Sequence, residues 1–264
     1  MPAKSKEALI DPRAMIDIGA ELDSDVSVGP FSVIGPEVKI GAGTVIGPHV
    51  VLEGRTTIGR NNRIFQYSSV GAEPQDLKYG GEDSELVIGD DNIIRECATI
   101  NKGTEGGGMV TRLGSGTLVM AYSHIAHDCQ IGDGVIIANA VNIGGHVIVG
   151  NNAVLGGLTG IHQFCRVGSI AMVGAQSYLS MDVAPYTTVQ GTRAKLSGLN
   201  VIGLKRNGFS DETTSALKSA FKTIFKSSLT LEKAVEKIAE NGPASPEVNH
   251  FVDFIRSSER GVIR

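Results

Sequence analysis

The sequence predicts a mainly β protein: a parallel β-helix of six-residue repeats closed by a small C-terminal domain of three helices. Three observations carry this. Aliphatic residues recur every six positions from Ile10 to Val70, again from Ile88 to Ile100, and again from Leu113 to Leu179. Glycine is abundant, at 34 of 264 residues, and often follows the aliphatic, as in Ile34-Gly35, Ile40-Gly41 and Val149-Gly150. Past about Gly203 the six-residue period is replaced by helical stripes.

A period of six matches neither the 3.6 of an α-helix nor the alternation of a long strand. It matches a short strand and a tight turn, repeated. Three such units close a triangular coil with the aliphatic side chain pointing inward, and successive coils stack at roughly 4.8 Å through parallel ladders. The position four residues after the aliphatic is mostly small or β-branched, as at Ala14, Ala20, Val26, Ser32, Val38 and Thr44. Apolar residues make up 41% of the chain, aromatics only 5%, and tryptophan is absent. That composition suits thin aliphatic layers.

Two segments interrupt the repeat, about 72–87 and 101–112. The first contains Pro74-Gln75-Asp76-Leu77-Lys78-Tyr79 and the second Gly106-Gly107-Gly108. Val70 and Ile88 lie a whole number of repeats apart, so the first interruption reads as a loop ejected from an intact stack. Long excursions from a regular scaffold often carry binding residues. The β-helix is expected over residues 1–200 and the helical domain over 201–264. Ser210-Asp211-Glu212 marks an N-cap ahead of Leu217, Phe221, Ile224 and Phe225. Leu231, Val235 and Ile238 mark a second helix, stopped near Asn241-Gly242-Pro243. Ser245-Pro246-Glu247 opens a third, with Phe251, Phe254 and Ile255. Such a cap would cover the open edge of the solenoid.

The formal net charge of −4 gives no electrostatic reason to expect nucleic acid or an anionic membrane as the main partner. Met1 to Ile10 carries Lys4, Lys6 and Glu7 without a signal-like apolar stretch, and no segment approaches a membrane span. A cytoplasmic protein is expected. Cys97, Cys129 and Cys165 lack metal-ligand spacing, and an odd count argues against a disulfide framework. Cys129 and Cys165 fall on the small inward position and read as packing thiols.

Four of the six histidines, His124, His127, His146 and His162, fall within one stretch. Residues one coil apart sit one above another, so His127 lies under Gly145 and Gln163, with His146 and His162 beside them. His124 lies under Asn142. Ile125 points inward, so His127 is expected to point outward. A neutral imidazole with an ordinary pKa near 6.5 suits proton abstraction from a hydroxyl, and Asp128 beside it could orient the ring. The Gly145 amide could face a developing oxyanion. Lys78, Lys205 and Arg206 could meet phosphates. Any one histidine alone would read as a solvated surface residue; the stacking singles out the group.

Gln75-Asp76-Leu77-Lys78-Tyr79, His124-Ile125-Ala126-His127-Asp128-Cys129, Ile161-His162-Gln163-Phe164 and Asn200-Val201-Ile202-Gly203-Leu204-Lys205-Arg206 resemble the segments of the acyl-carrier-protein–UDP-N-acetylglucosamine O-acyltransferases. The resemblance spans essentially the whole chain. It implies a left-handed coil and transfer of an (R)-3-hydroxyacyl group from acyl carrier protein to the sugar 3-hydroxyl, the first step of lipid A synthesis. It also implies a homotrimer with sites between neighbouring subunits, and no metal or redox cofactor. In its terms His127 is the general base, Asp128 its support and Gly145 the oxyanion donor. Asp76, Lys78, His124, His146, His162 and Gln163 hold the sugar nucleotide or the pantetheine arm, and Asn200 and Arg206 meet the nucleotide end. Ala175, assigned to the same ridge as the histidines, sits where such enzymes limit acyl length and suggests a somewhat shorter chain. Ile202 and Asn207 depart from the family pattern, and the nucleotide contacts are expected to be rearranged there.

Two other activities compete. One is N-acyl transfer to a 3-amino UDP-sugar, which the residues leave open. The other, of a different class, is a zinc hydratase of the γ-carbonic anhydrase type, supported only by the histidine cluster.

Overall fold

The structure, a computed structural model, describes residues 9–240 and 245–264. Lys4, Lys6, Glu7 and the expected stop at Asn241-Gly242-Pro243 lie outside the described residues.

The repeat folds as two-residue strands separated by tight turns, arranged as three parallel sheets that form the faces of a left-handed β-helix. The first sheet runs from Met15–Ile16 to Tyr178–Leu179, and the second from Glu21–Leu22 to Arg166–Val167. The third begins at Ser27–Val28. Register follows the aliphatic row: Ile34 pairs with Ile16 and Leu52, and Ile125 with Ile100 and Ile143. Within each strand the aliphatic is buried and its neighbour faces out, as the two-residue side-chain period requires. Ile34, Leu52, Ile94, Ile125 and Ile137 are almost wholly buried, while Ile10 at the open end is 48% exposed because no coil lies below it.

The interruptions enter the ladder as whole insertions. Ile88 pairs with Ile58, thirty positions back rather than eighteen, so twelve extra residues bulge out at 73–84. Ile125 pairs with Ile100, twenty-five positions back, so the coil is seven residues longer than eighteen; the added length is taken up within the eight-residue loop 102–109, where Glu105–Gly107 forms a single 3-10 turn. Above Leu179 the step shortens: Val189 pairs with Val173, sixteen positions back. Thr187–Gln190 therefore continues the third sheet although the six-residue period has ended, and Lys195–Leu199 folds back on it antiparallel.

Helices follow: α1 (Val201–Arg206), α2 (Asp211–Phe225), α3 (Leu231–Glu240) and α4 (Pro246–Arg256). Ser210 and Ser245 cap α2 and α4, each hydroxyl accepting from the amide three residues on. The short α1 is one helix more than the apolar stripes foretell; six residues are too few to show a period. Leu204, Leu217, Phe221, Phe251 and Ile255 pack with Ile170, Ala184 and Tyr186 of the last coils, so the helices cover the end of the stack. The C-terminal residues return to the coil: the Asp182 amide donates to Gly261 O at 3.0 Å, and the Ile263 amide to Asp182 O at 2.9 Å. The Asp182 carboxylate, 1% exposed, is neutralised by Arg166 at 3.0 Å and accepts from Ser258 Oγ.

Because each inward aliphatic touches only its own and the adjacent layers, a truncated one leaves a cavity that cannot close without shifting the ladder. Ile137→Ala is expected to lower unfolding free energy by about 2–5 kcal/mol, measured by chemical denaturation.

Candidate active site

The stacked histidines lie on the edge where the first sheet turns into the second. Two columns run along it. His127, Gly145 and Gln163 form one, with the unpaired face of Gly145 against the imidazole: a Cβ there would lie 2.6 Å from His127 Cε1. Asp128, His146 and Phe164 form the other, all three in the left-handed region at φ 61, 61 and 64°. A residue with a side chain rarely holds that conformation; the tight corner requires it at each level. The His146 and Phe164 rings stack at 4.3 Å and 7°, and His127 meets His146 edge-on at 5.0 Å.

His127 does leave the coil outward, but it is not solvated. Both inserted loops close over it, leaving the residue 8% exposed. Its Nδ1 lies 2.7 Å from Asp128 Oδ2. An ionised carboxylate only accepts, so Nδ1 carries the proton and Nε2 is left as the basic nitrogen. Asp76 Oδ2, from the first loop, stands 4.0 Å from Nε2. The Asp128 carboxylate is itself held by the second loop: Thr104 N–H donates to Oδ1 at 2.8 Å, and Thr104 Oγ1–H to Oδ2 at 2.6 Å. The Asp128 amide donates to Thr111 Oγ1 at 2.7 Å. Gly107 lies so close that a Cβ would collide with the Asp128 carboxylate. The glycine run of that loop thus includes one position where only glycine fits.

The neighbouring amides of Gly144 and His146 bond Ile161 O and His127 O. The Gly145 amide, buried between them, has no protein acceptor among the described residues and is free to donate to an incoming group. Beside these groups opens a cavity of about 350 Å³ lined by Asp76, Lys78, Tyr79, Thr104, His146 and Phe164 among others. His124 lies on the strand His124–Ile125 that runs into this edge, with Nδ1 2.7 Å from Thr99 Oγ1. Burial, with a smaller contribution from His127, pushes its pKa below 6.5. Burial also lowers His146, reinforced by His127 and opposed by Asp128 and Asp76. His162 Nδ1 lies 2.9 Å from Gln163 O, to which it can donate, and 3.3 Å from the Arg260 guanidinium, from which it can accept; it does one at a time.

Not every residue singled out by sequence joins this cluster. Lys78 is exposed at the cavity's edge, and Gln163 is exposed above it. Asn200 caps α1, its side-chain oxygen accepting from Gly203 N at 2.9 Å while its amide donates to Ile170 O at 2.8 Å. Arg206 ends α1 and is exposed. Neither lines the cavity beside His127. Ala175 is a correction: it does not share the histidine edge. It stacks over Gly157 at the corner that leads into the first sheet, whereas the histidines occupy the corner that leaves it. Ala175 lies twelve residues past Gln163, two-thirds of a coil, so a count by whole coils rather than by six-residue units already separates the two corners. Thr104, Tyr79, Glu82 and Phe164 were not visible as site residues; only the interruption of the repeat pointed toward the first three. The thiols Cys129 and Cys165 are buried inward, with burial pushing them up to about 12 and about 11.

His127, Asp128 and His146 are also the described residues whose donor atoms could gather a metal ion, within 4.8 Å of one another. Zinc bonds of about 2 Å would hold two ligand atoms more than roughly 3 Å apart, whereas His127 Nδ1 and Asp128 Oδ2 stand 2.7 Å apart. Their spacing is that of a hydrogen bond.

Similarity to known proteins accords with this arrangement. The family model for bacterial transferase hexapeptides (six repeats) matches residues 19–54 and 111–145, which places the coil among the hexapeptide-repeat transferases. The model for UDP-N-acetylglucosamine O-acyltransferase, domain 2, matches residues 182–263. An acyl-[acyl-carrier-protein]–UDP-N-acetylglucosamine O-acyltransferase of Anaeromyxobacter dehalogenans is 51% identical over 97% of this chain and 99% of its own. One from Herminiimonas arsenicoxydans is 50% identical over 97% and 100%. The solved LpxA of Acinetobacter baumannii superposes with a TM-score of 0.93 at 45% identity, covering 97% of this chain and 100% of the other. The chain belongs to the acyl-[acyl-carrier-protein]–UDP-N-acetylglucosamine O-acyltransferase family.

The depressed histidines carry a sign for stability. Below the ordinary value of 6.5 the unfolded chain takes up protons that folded His124 resists, so this contribution is present above 6.5 and is lost as pH falls. The drop in unfolding free energy between pH 7.5 and 5.5 should be smaller in His124→Gln than in the wild type, measured by denaturant titration at each pH.

Proposed function

We propose that the chain transfers an (R)-3-hydroxyacyl group from acyl carrier protein to the 3-hydroxyl of UDP-N-acetylglucosamine, the first step of lipid A synthesis, with His127 as general base. The observation that carries this is the pairing of His127 Nδ1 with a buried carboxylate, which leaves Nε2 as an oriented base beside a free backbone amide.

With the sugar in the cavity, Nε2 takes the proton of the 3-hydroxyl as its oxygen attacks the thioester carbon. The imidazolium formed is stabilised by Asp128 at Nδ1. The Gly145 amide faces the oxygen of the tetrahedral intermediate. As that intermediate collapses the carbon–sulfur bond breaks, and the proton on Nε2 passes to the departing thiolate of the carrier. Asp76, Lys78, His146, His124, His162 and Gln163 hold the sugar nucleotide or the acyl-pantetheine arm, with Asp76 and Lys78 from the first loop beside the sugar.

We place the chain in the cytoplasm as a homotrimer with sites between subunits. Support for the assembly comes from the third sheet, whose outward row Ile93, Leu118, Ile136, Val154 and Met172 is apolar at five successive levels. Ala175, Asn200 and Arg206 stand away from the cavity of their own chain, and a neighbouring copy would bring such residues to it. No helix of the described residues is long and apolar enough to cross a membrane.

His127→Ala should lower kcat by roughly 10²–10⁴ while the variant elutes as the wild type does and melts lower, since the buried Asp128 carboxylate loses a donor. The test is a transfer assay with 3-hydroxyacyl carrier protein and UDP-N-acetylglucosamine; near-normal turnover would remove His127 as the base. Running the 3-amino sugar analogue alongside separates O- from N-transfer.

A further inference from the structure

We propose that Thr104, on the second inserted loop, is a positioning residue that sets the catalytic base through Asp128. The inference rests on the reading of His127 as that base.

Three features of the loop single Thr104 out. Its backbone amide and hydroxyl each take one oxygen of the Asp128 carboxylate, at 2.8 and 2.6 Å, so both oxygens are fixed and the carboxylate cannot rotate. Thr104 occupies the N-cap of the 3-10 turn Glu105–Gly107, where a threonine hydroxyl ordinarily accepts from an amide of the turn. Here it makes no cap bond and donates to Asp128 instead. Asp128 and Thr104 are 4% and 5% exposed, and among the described residues no cation pairs with the carboxylate other than a protonated histidine. Its charge is therefore carried by hydrogen bonds from Thr104 and His127, and loss of one donor would leave a buried oxygen short.

The loop is seated for this purpose at both ends. The Glu82 carboxylate, from the first loop, accepts from Glu105 N at 3.1 Å and from Gly80 N at 2.7 Å, tying the two insertions together. At the other end Gly107 lies against the carboxylate with no room for a Cβ. The chain thus runs Thr104 to Asp128 to His127 Nδ1, and the ring plane that aims Nε2 is fixed by a carboxylate that Thr104 immobilises. Thr104 lines the cavity, but its amide and hydroxyl are both taken by Asp128, so losing the hydroxyl should act on turnover rather than on binding.

The test is steady-state kinetics on the full-length protein with Thr104→Val and Thr104→Ser, each alone and with Asp128→Ala. Thr104→Val keeps the side-chain shape but loses the donor; misaiming the base should lower kcat roughly 10- to 100-fold with both KM values within about twofold. Thr104→Ser restores the donor and should keep most of the turnover. In the Asp128→Ala background Thr104→Val should add no further loss, because the residue through which it acts is gone. Gly107→Ala provides an independent arm: alone it should lower kcat, and with Asp128→Ala, where the collision is removed, it should cost nothing more. An unchanged kcat in Thr104→Val, equal loss in the serine variant, or a full further loss in the Asp128→Ala background would overturn the proposal. If Thr104→Val does not fold, the Gly107→Ala pair decides. His127→Ala, run beside them, distinguishes failure of this clamp from failure of the base itself.

Discussion

The rest of the molecule depends on the register of the parallel ladder. Each coil is hydrogen-bonded to the one beneath it, with inward rows such as Ile125, Ile143 and Ile161 in line. A slip of one residue would turn every aliphatic of a strand to solvent and its polar neighbour into the core. Register is thereby locked over the whole stack, and any two residues one coil apart are held at a fixed spacing. His127 under Gly145, and Asp128 under His146 and Phe164, are consequences of that lock.

A rigid stack alone would leave its histidines in water. The two insertions change that without disturbing the ladder, because their residues leave the coil and the pairing resumes beyond them. The first contributes Asp76 and the second Thr104, and Glu82 joins the loops to each other. The scaffold supplies the positional accuracy and the loops supply the enclosure. Enclosure strengthens the His127–Asp128 interaction, since a hydrogen bond between charged partners is worth more away from water.

Asp128 is the point where these influences meet. Its backbone is in the left-handed conformation that the corner imposes, its amide is tied to Thr111 Oγ1, and its carboxylate faces both Thr104 and His127. A buried carboxylate without such partners would be driven toward its neutral form and could no longer stabilise an imidazolium. The environment of this one side chain therefore ties the loop geometry to the proton chemistry.

Much of this was present in the order of residues. The six-residue rows, the inward cysteines, the caps at Ser210 and Ser245, and the alignment of His127, Gly145 and Gln163 all follow from a period and simple stereochemistry. Counting by whole coils also puts Ala175, twelve residues past Gln163, on a different edge from the histidines, but the period could not convey what lies over either edge. Nor could it show how the inserted residues fold back, because contacts such as Thr104 to Asp128 are made by loop residues that obey no period. Asn200 shows the same limit, its side chain bridging α1 and Ile170 in a contact thirty residues apart. The repeat by itself determined the scaffold and the columns on it. Only the tertiary structure decided what covers those columns, because enclosure depends on long-range packing of aperiodic segments rather than on local pattern.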